Sequence, residues 1–148
     1  VSNEALVIVD FAHTPDGMEK VLDSMKERDL VVVFGAGGDR DRTKRPKMGA
    51  MAERYAKKIV VTSDNPRSED PQSIINEILA GMRPNEHLEV EVDRHKAIEK
   101  ALLKQGKDEV LLILGKGDET YQEIQGKKYP FDDREVVKSI IAQWAKQK

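Results

Sequence analysis

The sequence predicts an α/β domain: a mostly parallel, six-stranded sheet with helices on both faces, plus a small hairpin. Two observations carry this. Short apolar, β-branched runs alternate with stretches of helical period along the whole chain. Several of those runs are continuously apolar, as in strands buried on both faces. Connections between parallel strands then need crossover helices, which the intervening stretches supply.

The elements follow in order. Ala5 to Val9 is the first apolar run. Thr14 can cap a helix with Pro15 at its first position, and Met18, Val21, Leu22 and Met25 fall on one helical face. Leu30 to Phe34 is a buried strand, broken by Gly35-Ala36-Gly37-Gly38 and followed by a charge-crowded loop from Asp39 to Lys47. Met48, Met51, Ala52 and Tyr55 mark the next helix, and Ile59 to Thr62 the next strand. Asp70-Pro71 opens a helix with Ile74, Ile75, Ile78 and Leu79 inward, closed near Gly81. Leu88 to Val92 alternates polar and apolar, a strand with one wet face. Ala97, Ile98, Ala101 and Leu102 mark a helix, and Val110 to Leu114 is the most apolar strand. Tyr121 to Ile124 and Lys128 to Phe131, around Gly126, predict the hairpin. Val136, Val137, Ile140, Ile141 and Trp144 form the stripe of a last helix.

Composition narrows the function. The 148 residues suit one domain, with 39% apolar and 35% charged residues. Twenty-five basic and 27 acidic residues leave a net charge of −2, which disfavours a general nucleic-acid or anionic-membrane binder. The absence of cysteine removes disulfides, thiolate zinc sites and cysteine nucleophiles, and fits a reducing cytoplasm. No apolar run approaches the roughly 20 residues of a membrane span. A start at Val1 suggests a piece of something longer.

In a parallel sheet, ligands sit beyond the carboxyl ends of the strands. Four such ends carry chemistry: Asp10 to Pro15, Gly35 to Arg45, Asp64 to Arg67, and Gly115 to Glu119. Together they hold Arg40, Arg42, Arg45 and Arg67, the acids Asp39, Asp64, Asp118 and Glu119, and His13. Both signs of charge at one edge suit a zwitterion, or an anion beside an amine. Each segment also has a plain structural reading. His13 can cap or pack, the arginine loop can be a solvated turn, and Asp64-Asn65-Pro66-Arg67 can be a turn alone. The glycine runs match neither a dinucleotide fingerprint (position 40 is Arg40) nor a P-loop.

These residues resemble a known family. Asp10-Phe11-Ala12-His13-Thr14-Pro15-Asp16 is similar to the pattern Asp-Tyr-Ala-His-Thr-Pro-Asp. Phe34 to Asp41, Lys44-Arg45-Pro46 and Met48-Gly49 resemble its glycine-rich segment. Thr62 to Arg67, then Glu69-Asp70-Pro71, resembles its amino-acid recognition motif. Asp93-Arg94, Gly115-Lys116-Gly117, Tyr121-Gln122 and Phe131 to Glu135 continue the series. The family is the Mur ligases of peptidoglycan synthesis, in the branch that adds meso-diaminopimelate. At position 118 the family has histidine where this chain has Asp118, which makes the local field more negative.

The resemblance implies a Rossmann-like three-layer C-terminal domain over residues 1 to 148, separate from an N-terminal UDP-sugar domain and a central ATPase domain. It implies a cytoplasmic ligase using ATP and Mg²⁺, bound mainly by the central domain, to activate the D-glutamate carboxylate of UDP-N-acetylmuramoyl-L-Ala-D-Glu. The amine of the incoming amino acid then attacks the acyl phosphate. The implied diaminopimelate-binding residues are Arg40, Asp64, Asn65, Pro66, Arg67, Gly115 and Glu119. Arg40 and Arg67 would take the distal carboxylate, and Glu119 and the Gly115 backbone the distal ammonium. Asn65 offers both a donor and an acceptor. Asp10 and His13 are candidate contacts on the nucleotide side; no catalytic residue and no metal ligand is expected in this segment. Three alternatives stay open: L-lysine as the added amino acid, a stand-alone mononucleotide-binding module, and a mainly structural interaction domain.

Overall fold

The computed structural model describes residues 6 to 117 and 119 to 146. The main-sheet strands are β1 (Leu6–Asp10), β2 (Leu30–Phe34), β3 (Lys58–Val61), β4 (Leu88–Val90) and β5 (Val110–Leu114). All pair in parallel, in the order β1-β5-β2-β3-β4. The helices are α1 (Pro15–Ser24), α2 (Arg45–Tyr55), α3 (Pro71–Leu79), α4 (Arg94–Lys104) and α5 (Asp133–Lys146).

The expected six-stranded sheet has five strands among the described residues. The expected hairpin forms outside this sheet, with β6 (Tyr121–Ile124) and β7 (Lys127–Pro130) paired to each other. Their sequences, YQEI and KKYP, lack the apolar content that a strand covered on both faces requires.

The pleat explains the three layers. Along β2 and β5, successive side chains face opposite ways. Leu30, Val32, Phe34, Val110, Leu112 and Leu114 join Met18, Leu22, Ala52 and Ile75 in a core under α1, α2 and α3. Val31, Val33, Leu111 and Ile113 join Ala97, Ile98, Val137 and Ile140 in a second core under α4 and α5. All ten residues of β2 and β5 are buried. The chain thus carries its own core on both faces of the sheet.

Helix starts follow the capping signals. The side chains of Thr14, Asp70 and Asp93 accept from backbone N–H groups of the first turns of α1, α3 and α4. Two expectations shift. The loop expected to run to Lys47 is already a 3-10 turn at Arg42–Lys44 and helix from Arg45, with Pro46 in its first turn. Apolar periodicity misses this start because its inward residue is the buried Arg45. Ile141, expected inward, is 37% exposed, because α5 covers its core with Val137 and Ile140 one step around the helix.

Candidate functional site

β1, β5, β2 and β3 are neighbours and parallel, so their carboxyl ends share one edge of the sheet. A cavity of about 360 Å³ opens there. Arg40, Asp64, Asn65, Arg67, Gly115 and Glu119 all line it, and His13 stands at its wall. Two expected residues do not. Pro66 borders a separate cavity and presents its carbonyl to Gly38. Asp10 folds its own loop, its carboxylate accepting the Ala12 N–H at 2.9 Å. His13 is exposed and donates from Nδ1 to the Phe11 carbonyl at 3.0 Å.

The segment after β3 is the floor. Ser63, Asp64 and Asn65 are buried, and each is fixed by a different element. Ser63 Oγ donates to the Val92 carbonyl, Gln122 Nε2 to the Asp64 carbonyl, and the Gly38 N–H to the Asn65 carbonyl at 2.7 Å. A Cβ on Gly38 would lie 1.8 Å from the Pro66 carbonyl oxygen, so only glycine permits this approach. Arg67 sits in the left-handed region at φ 52°. It is held there by the hairpin, its N–H donating to the Glu123 carbonyl and its carbonyl accepting from Gln125 N–H. Its guanidinium donates from Nη1 to the Gly38 carbonyl at 3.0 Å and lies 3.4 Å from Glu123 Oε1 through Nε.

The four arginines grouped at this edge divide in two. Arg45 is buried and forms paired hydrogen bonds to Glu69 at 2.7 and 3.0 Å, with a further one to Glu77. Arg42 pairs with Glu77. The Arg45 guanidinium, together with the Asp39 N–H, holds the Glu69 carboxyl down at about 2. Those two arginines brace the loop. Asp39 is likewise occupied, accepting from Ser68. Arg40 and Arg67 line the cavity without such paired bonds: Arg40 is exposed, with one hydrogen bond to its neighbour's carbonyl, and Arg67 keeps the Gly38 and Glu123 contacts given above.

Two buried charged residues at this edge were quoted from the sequence without a role. Lys116 is fully buried, and burial pushes its ammonium below the ordinary lysine value against the pull of Asp64. It donates to Asn65 Oδ1 at 2.7 Å. The Glu123 N–H donates to the same oxygen at 2.9 Å. Neither donor can accept, so the Asn65 oxygen faces them and its Nδ2 turns to Glu119 Oε1, 3.4 Å away. The expectation that Asn65 offers both functions is thereby corrected: its acceptor is occupied within the protein. The available signal was a lysine flanked by glycines after the most apolar strand. The second residue is Arg94, which is fully buried, pairs with buried Asp133, and donates from its guanidinium to the carbonyls of Ser63 and Leu114. It ties the ends of β3 and β5 together. Asp118 lies outside the described residues.

The glycine turns are filled by the chain itself. A Cβ on Gly35 would meet the Thr62 carbonyl at 2.3 Å, and one on Gly117 the Phe11 Cβ at 2.9 Å. The Gly38 and Gly115 N–H groups donate to the carbonyls of Asn65 and Asp10. A phosphate cradle needs such N–H groups free.

Residues 1–117 match the family model described as "Mur ligase, glutamate ligase domain". A Helicobacter hepaticus protein named UDP-N-acetylmuramoyl-L-alanyl-D-glutamate--2,6-diaminopimelate ligase is 60% identical over 142 residues, covering 96% of this chain and 31% of the relative. A solved structure bearing the same enzyme name superposes with a TM-score of 0.91 at 40% identity, over 98% of this chain and 31% of that one. Folylpolyglutamate synthase from Thermotoga maritima shares the fold, with a TM-score of 0.57 at 24% identity over 77% of this chain and 25% of that one. The chain spans about a third of the length of the curated relatives it matches.

Proposed function

The chain belongs to the Mur ligase family, and from that premise we propose that it is the amino-acid-binding C-terminal domain of the ligase that adds meso-diaminopimelate to UDP-N-acetylmuramoyl-L-Ala-D-Glu. The observation that carries the reading is the grouping of opposite charges in one cavity. Arg40 and Arg67 stand with the Asn65 amide N–H as anion donors, beside the carboxylates of Asp64 and Glu119.

That pattern fits the distal end of diaminopimelate, a zwitterionic amino-acid centre. A guanidinium takes a carboxylate by paired, charge-assisted hydrogen bonds. Arg67 and Arg40 supply the guanidinium groups, and Asn65 Nδ2 adds a donor. Glu119 takes the distal ammonium, with the Gly115 backbone as its neighbour. L-Lysine lacks the distal carboxylate, so it would leave these donors unmatched, at a cost of several-fold to many-fold in binding. Holding the distal end fixes where the near amine lies, which is the contribution of this domain to the reaction. ATP and Mg²⁺, held by the rest of the ligase, supply the activation of the D-glutamate carboxylate. His13, with Nε2 directed away from its own hydrogen bond, is the residue of this segment available for contacts on that side. Asp10, whose carboxylate folds the loop that carries His13, is the second candidate there.

A self-contained nucleotide module is the weaker alternative, because the glycine turns already pack on the protein's own backbone. No helix among the described residues is long and apolar enough to cross a membrane. The proposed substrates place the reaction in the cytoplasm.

The test is a ¹⁵N NMR titration of the chain with meso-diaminopimelate, L-lysine and ATP in turn, with Arg67→Ala as control. Shifts at Asn65, Arg67 and Glu119 with diaminopimelate alone, lost in the variant, are expected. An equal response to lysine would overturn the substrate, and a response to ATP alone would favour the nucleotide module. Silence with all three would overturn binding by this domain.

A further inference from the structure

Lys116 is a fully buried cation at the site edge for which the binding scheme above has no use. Its Nζ donates to Asn65 Oδ1 at 2.7 Å and to the Tyr121 carbonyl at 3.0 Å. It stands 3.2 Å from Asp64 Oδ1 and 3.8 Å from Glu119 Oε1. The Asp64 oxygen is buried and lacks a hydrogen bond of good geometry, so the nearby ammonium offsets it by charge. One side chain therefore joins the β3 end, the β5 end and the hairpin.

We propose that Lys116 is a positioning residue for substrate recognition: it holds the Asn65 oxygen inward, so that Asn65 meets the ligand only as a donor and that point of the cavity accepts a carboxylate. The proposal rests on the amino-acid-binding reading above.

The argument is a count of donors and acceptors. Flipping the Asn65 amide would set its NH₂ against the Lys116 ammonium and the Glu123 N–H, donors against donors. Without Lys116, the flip is opposed by the Glu123 N–H and by the Glu119 carboxylate at 3.4 Å, and the strongest of the three contacts, the charged one, is gone. The flipped amide would turn its oxygen toward Glu119 and repel a carboxylate. Loss of the ammonium would also leave Asp64 and Glu119 unbalanced beside the cavity. The other charged group facing this ammonium from a packed element is Arg94 of α4, itself held by Asp133 of α5. Among the described residues, Lys116 is thus the cation in direct contact with Asn65.

The test follows the Asn65 side-chain NH₂ resonances by ¹⁵N NMR, with meso-diaminopimelate as the ligand probe. In the ligand-free protein, raising the pH through the titration of Lys116, read at its own Cε and Nζ, should move the Asn65 pair with the same midpoint. In Lys116→Met the pair should shift or double while the amides of β2 and β5 keep their positions. Affinity for diaminopimelate should fall at least tenfold, and the preference over L-lysine should narrow by a similar factor. Lys116→Arg, with the charge but a longer planar head, should restore less than half of the lost affinity on a logarithmic scale. An Asn65 pair that ignores the Lys116 titration overturns the proposal, and so does unchanged affinity in a folded Lys116→Met. If that variant does not fold, the wild-type titration still decides. If the wild-type chain binds no diaminopimelate, the functional reading fails, while the ligand-free titration still reports on Lys116.

Discussion

Gly38 and Pro66 meet backbone to backbone beside the site, and there is no room for a side chain between them. Gly38→Ala would press a methyl group into the Pro66 carbonyl, 1.8 Å from the ideal Cβ position. The expected loss is about 3 kcal/mol or more of stability, at the upper end of overpacking costs. Gly126→Ala is the contrast. It has a left-handed backbone at φ 78° but open space around it, and should cost about 1 kcal/mol. Urea unfolding of the two variants checks the difference in midpoint. At this scale the sequence was informative where polar and charged side chains sit on loops that follow strands of the sheet. Arg40, Asn65, Arg67 and Glu119 were legible for that reason, and they do share a cavity. The roles of Arg94 and Lys116, and the burial of Arg45, were not, because each is a buried charge with a partner far away in the chain. Periodicity treats a charge as surface, and only the folded topology reveals its partner.

The hairpin is the element whose role differs most from its appearance in the sequence. Its position was legible from the turn at Gly126. Its use as a strap over the segment after β3 was not, since nothing in a polar two-stranded pattern says what it lies across. In the structure Gln122 reaches Ser63 Oγ at 2.8 Å and the Asp64 carbonyl at 2.6 Å, Glu123 N–H reaches Asn65, and the backbone of Arg67 bridges Glu123 and Gln125. Gln122→Ala removes two of these bonds and should cost about 1–2 kcal/mol. The cost should be local: exchange of the Arg67 amide hydrogen is expected to accelerate about tenfold, while the amides of Val32 and Leu112 hold their protection. Equal acceleration throughout would mean that the hairpin supports the whole domain rather than this segment.

For the molecule as a whole, the Arg94–Asp133 pair binds the two helices of one covering layer to each other and to the edge of the sheet. It joins α4 to α5 and reaches the carbonyls ending β3 and β5. Arg94→Met alone should cost about 3–5 kcal/mol, because Asp133 stays buried without a partner. Changing Asp133→Leu as well should recover most of that loss, and thermal unfolding of the single and double variants measures the recovery. The α/β class and both covered faces were legible in the continuous runs of β2 and β5. Strand order was not, because such runs fit any position inside a sheet. That order has a consequence for how the domain is made. Among the described residues β1 pairs with β5 alone, and Leu6 must find Val110. Everything between them leaves the ribosome before β1 has a neighbour, while β2, β3 and β4 can already align. The earliest strand of the sheet is therefore the one that waits longest for its place. Closing so long a span makes its arrival, together with the completion of the cavity beside it, a late event of biosynthesis.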